Sequence, residues 1–64
     1  MGMSGAINRL KRALSAVANA QRAMRRAYHD ANKAGVDTTN MRRAIRELED
    51  AEARIKWAMR EIDN

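Results

Sequence analysis

Residues 6–34 read AINRLKRALSAVANAQRAMRRAYHDANKA, and alanine returns at every seventh position: Ala6, Ala13, Ala20, Ala27 and Ala34. The second half of the chain repeats the device with Ala44, Ala51 and Ala58. A seven-residue spacing keeps one stripe of a helix turned toward a partner, and alanine in that stripe lets two backbones approach more closely than leucine would. The pattern predicts packed helices and names no reaction.

The same stretch carries a second, larger seam. Ile7, Leu10, Leu14, Val17, Met24, Tyr28 and Ala31 alternate three and four residues apart once Gln21 is admitted as a polar member, an a/d heptad pattern with Ile7 at a. Ser4 is a candidate N-cap, and the first helix is expected over about residues 5–34. Gly35 follows Lys33 and Ala34, where a left-handed C-cap residue is wanted.

A turn over residues 35–37 then leads to a second helix, expected over about 38–62. Asp37 is the best N-cap, because it sets Val36 against Met41 as a hydrophobic staple; Thr38 or Thr39 would move the boundary by a residue or two. Met41, Ile45, Leu48, Ile55, Met59 and Ile62 form the second seam, with Glu52 as its polar member. The spaced alanines stand at g in both helices.

A turn this short makes the helices antiparallel. Pairing Ala31 with Ile45 sets Tyr28 against Leu48, Met24 against Glu52 and Gln21 against Ile55, so that the two polar residues lie one layer apart. In that register Ile7 and Leu10 overhang the end of the second helix and call for another subunit. Arg25 lies near enough to the polar layer to pair with Glu52. No second acid, base or nucleophile is brought within reach by spacing, so no catalytic residue is assigned.

Composition sets the outer limits. A chain of 64 residues is one domain at most and buries little of its surface alone. There is no cysteine for a disulfide, and one histidine is too few for a structural zinc set, so no metal or cofactor is expected. Oligomerisation is the remaining route to a larger core. The absence of proline, with glycine only at positions 2, 5 and 35, leaves nearly the whole chain free to be helical. No apolar run approaches the roughly 20 residues of a membrane span, nor is there the apolar core of a signal peptide, and the expected compartment is the cytoplasm. The fold class expected is therefore all-α: an antiparallel, alanine-rich two-helix hairpin that assembles, most simply as a dimeric four-helix bundle.

Ala13, Ala16, Ala20, Ala23 and Ala27 alternate three and four apart at g and c, a narrow alanine face beside the main seam. A helix with one partner does not require it, so helix 1 is expected to pack on another copy there, with Ile7 and Leu10 extending the interface. For any single alanine, high helix propensity is explanation enough.

Charge points to partners. Residues 1–35 hold seven Lys or Arg and one Asp, whereas residues 36–64 hold six and seven. Arg22, Arg25, Arg26, His29 and Lys33 follow the spacing of one helical surface and approach the turn, where Arg42, Arg43 and Arg46 also emerge. Arginines so near a helix N-terminus oppose its dipole. These eight residues form a candidate anion site, since guanidinium offers phosphate a bidentate fork; a merely solvated face is the plain alternative. Trp57 falls at f, away from the hairpin partner, where it either covers the alanine face of another subunit or stacks on a base.

The plan resembles that of the Rop family of plasmid RNA-binding proteins, short hairpins that dimerise into four-helix bundles. The likeness is one of architecture, with no shared motif and no functional residue to carry over. Two functions are expected of such a chain: a non-enzymatic, oligomeric binder of RNA, DNA or a small nucleotide, or a protein-interaction module such as an adaptor, assembly factor or inhibitor. A basic helix lying on a membrane surface fits poorly, because its apolar face would be mostly alanine.

Overall fold

The computed structural model describes the backbone of residues 2–63 and the side chains of residues 4–62. It is all-helical: α1 spans Gly2–Lys33 and α2 spans Thr39–Asp63, packed against each other as a hairpin. Helix 1 starts earlier than the capping pattern predicts. Ser4 lies inside its first turn and does not cap it.

The end of α1 follows from Gly35, whose φ of 75° is the left-handed value that only glycine adopts without penalty. The Gly35 amide donates to the Asn32 carbonyl at 3.2 Å and the Val36 amide to the Ala31 carbonyl at 3.0 Å. Together they form a Schellman closure, which satisfies the last free carbonyls of the helix.

The start of α2 is shared between two residues. The Thr38 carbonyl accepts from the Arg42 amide at 2.9 Å, which makes Thr38 the N-cap by backbone position, while the Asp37 carboxylate accepts from the Thr39 amide at 3.0 Å and the Thr39 hydroxyl at 2.8 Å. The expected staple is displaced by this one-residue shift. Val36 now stands two residues before the cap and is 54% exposed.

The turn is longer than expected, residues 34–38, and Val36 is its midpoint. Pairing Ala31 with Ile45 would have placed the midpoint at residue 38. The register slides accordingly. Gln21 meets Glu52 and Leu48, not Ile55: its side-chain amide donates to Glu52 Oε1 at 3.2 Å and to the Leu48 carbonyl at 3.3 Å. The two polar seam residues therefore share one layer, with an a position facing an a position.

Helix 1 has 32 residues and helix 2 has 25. A hairpin folded about Val36 sets Leu10 level with Ile62 and leaves Ile7 beyond the end of α2. The expected overhang shrinks to Ile7. Every apolar seam residue is only half-buried, and no hydrophobic side chain among the described residues is fully buried. Two helices alone make one contact line; they cannot enclose a core.

Candidate anion-binding groove

In an antiparallel pair, positions e and b of both helices share one side of the hairpin and positions g and c share the other. The e side is built around an ion pair between Arg25 and Glu49, at 2.8 Å. Arg25 was expected to reach Glu52; the turn centred on Val36 brings it to Glu49, and Glu52 instead takes Gln21 and, at 3.7 Å, Lys56 one turn away. The polar seam residue is thus satisfied from both helices.

Beside the ion pair lies an open groove of about 310 Å³ lined by Arg25 and Tyr28 from α1 and by Arg42, Ile45, Arg46 and Glu49 from α2. Tyr28 and Ile45 are half-buried and form its floor, while the three arginines and Glu49 are exposed at its rim. Three arginines line one apolar floor with a single carboxylate among them. Such a set attracts an anion and offers it several donors.

The remaining sequence candidates surround this groove without lining it. Arg22 and His29 stand at b on the same side; Arg22 bonds the Asn19 side chain. Arg26, Lys33 and Arg43 occupy f, on the outer edges of the helices, and all are exposed. Of the eight residues that spacing assigns to one site, Arg25, Arg42 and Arg46 line this groove. Tyr28 and Glu49 complete it; their signal in the sequence was a seam tyrosine and an acidic e position beside it.

Asp37 lies close by. The Thr39 amide, then the Thr39 hydroxyl, hold its carboxyl below the ordinary value of 3.8, with a smaller contribution from the Arg42 charge. An ionised Asp37 also lends the start of α2 the negative charge that its arginines withhold.

The opposite side of the hairpin is alanine-rich. Ala13 and Ala20 at g are half-buried against α2, as are Ala44, Ala51 and Ala58 from the other helix, whereas Ala16, Ala23 and Ala27 are exposed. The g row belongs partly to the hairpin itself, contrary to the expectation of a wholly open face. Trp57, on the outer edge of α2, is 62% exposed, and the Arg60 guanidinium sits 5.1 Å from its ring centre. That distance is within cation–π range.

Among the described residues no group of three or more His, Cys, Asp or Glu could hold a metal ion. Among the described residues no helix is long and apolar enough to cross a membrane. Compared with protein-family models, with curated proteins and with solved structures, the chain matches none.

Proposed function

We propose that the chain is a non-enzymatic, oligomeric helical protein that binds an anionic ligand, a nucleic acid or a nucleotide, through its arginine-rich side. The observation that carries this reading is the groove that Arg25, Arg42 and Arg46 line over the Tyr28 and Ile45 floor. Arginine near the start of α2 works against the helix dipole, so stability does not account for Arg42 and Arg43.

Assembly is supported by surface accounting. The hairpin exposes 5154 Å², against about 4,100 Å² for a compact monomer of its mass. Its radius of gyration is 15.0 Å, against about 11 Å for a globular chain of this length. A second hairpin laid on the alanine side would remove the excess, and the dimeric four-helix bundle is the simplest such arrangement. The second reading, a module that docks on a foreign protein, draws on exposed Ala16, Ala23, Ala27 and Trp57.

The test is a titration of labelled oligonucleotide and of nucleoside triphosphate at low salt. Binding that weakens steeply with added salt, and that is lost in an Arg25→Gln, Arg42→Gln, Arg46→Gln variant of unchanged helicity, supports anion binding. Indifference of the native chain to both ligands at low salt overturns it.

A further inference from the structure

The two sides of the hairpin carry opposite charge. On the e/b side, α1 presents Lys11, Arg22 and Arg25, and α2 presents Arg42, Arg46, Lys56 and Arg60, all exposed, against Glu49 as the acid at those positions among the described side chains. On the g/c side, Arg9 and Arg54 are outnumbered by Asp30, Glu47 and Glu61. Composition gives no hint of this separation, because it emerges only when the residues are set on their heptad positions in an antiparallel pair.

The basic side is also long. Counted along the helix axes from Val36, it runs from Arg42 near the turn to Lys11 and Arg60 near the open end, about 28 Å at helical rise. Lys11 and Arg60 stand level with each other, about 20 Å beyond the arginine groove on the same count. A single nucleotide in the groove cannot reach them.

We infer that the ligand of this side is a nucleic-acid duplex held by its phosphate backbone, with Lys11 and Arg60 as its far contacts. The inference rests on the anion-binding reading above and extends it to a ligand class. A duplex supplies one phosphate for about every 1.7 Å of axis, which suits cations spread over this length. A single strand is bound chiefly by stacking its bases on exposed aromatic rings, and among the described residues this side offers the small His29 imidazole and no exposed Trp, Tyr or Phe. Tyr28 is half-buried in the groove floor, and Trp57 lies on the outer edge under Arg60. Arg25 and Lys56 are engaged with Glu49 and Glu52, which leaves Lys11, Arg22, Arg42, Arg46 and Arg60 outside any ion pair among the described residues, with Asp37 near Arg42.

The test is fluorescence anisotropy of the full chain with labelled DNA and RNA duplexes of about 20 base pairs and with the matching single strands, at several salt concentrations. Five phosphate contacts predict a slope of log affinity against log salt of about −4 to −5 on a DNA duplex. Lys11→Gln with Arg60→Gln, checked for native helicity, should lower duplex affinity at least about tenfold and flatten the slope by about 2. The same variant should bind nucleoside triphosphate as the native chain does, whereas Arg9→Gln with Arg54→Gln should change duplex affinity by less than about twofold at physiological salt, where screening confines each charge to its own side. The DNA and RNA arms tell which duplex form is preferred, and binding to either supports the inference. Single strands bound as tightly as duplexes, or duplex affinity untouched by loss of Lys11 and Arg60, would overturn it. Triphosphate binding without duplex binding overturns this inference and leaves the groove reading standing; no binding of either removes both.

Discussion

One amide group ties the two helices together: Gln21 Nε2 lies 3.2 Å from Glu52 Oε1 and 3.3 Å from the Leu48 carbonyl oxygen. A polar layer in an otherwise apolar seam trades stability for a single register.

Gln21→Ala should therefore lower the stability of the hairpin by about 1 kcal/mol, the worth of such a bond in a half-buried site. Replacing both residues by leucine should instead raise it by about 1–3 kcal/mol through added apolar burial. Urea denaturation at fixed protein concentration measures both, and a double variant less stable than the native chain would contradict the account.

Gly35→Ala should cost about 1 kcal/mol, because alanine must adopt a left-handed φ to keep the Schellman closure. Space is not the obstacle, since a Cβ at Gly35 would meet nothing within 4 Å. Gly35→Asn should cost less. Equal thermal midpoints for the native and alanine chains would show that the closure relaxes without loss.

Asp37 sets an acid limb. Its folded-state carboxyl is held below 3.8, so the stabilisation it confers is present above that value and is lost as pH falls through the lower, folded-state value. Asp37→Asn should remove this limb while leaving the neutral-pH fold intact, as followed by helicity between pH 5 and pH 2.

Glu49 competes for Arg25 at the rim of the groove. Glu49→Gln should free that guanidinium and tighten anion binding by about 2–5-fold, while an exposed pair of this kind contributes under about 1 kcal/mol to stability. Anion titration and a thermal melt of one preparation separate the two effects, and weaker binding would place the ligand elsewhere.

Trp57 reports on assembly. Its indole is 62% exposed in a single hairpin. If subunits cover it, its emission should shift to the blue as protein concentration rises, and Trp57→Ala should weaken association without reducing the helicity of each chain. Sedimentation that finds a folded monomer at micromolar concentration would refute assembly altogether.

Helix number, helix boundaries to within a few residues and the stop at Gly35 were legible in the chain, because heptad spacing and left-handed glycine are local signals. Register was not. It depends on the turn, and Val36 as midpoint instead of residue 38 moved Gln21 onto Glu52 and Arg25 onto Glu49. The groove was half legible: Arg25, Arg42 and Arg46 are marked by charge, but Tyr28 and Glu49 join them only through pairing across the hairpin. The alanine rows illustrate the same limit, since the g row turned out to be partly covered by α2 while Ala16 and Ala23 at c stayed open.

A hairpin in which no apolar side chain among the described residues is fully buried has little folding energy of its own. Whatever covers either side of it, a second copy or a polyanion, adds its binding energy directly to folding by mass action. The lifetime of such a chain against proteolysis would then measure the supply of its partner: abundant while the partner is present, cleared when it is gone.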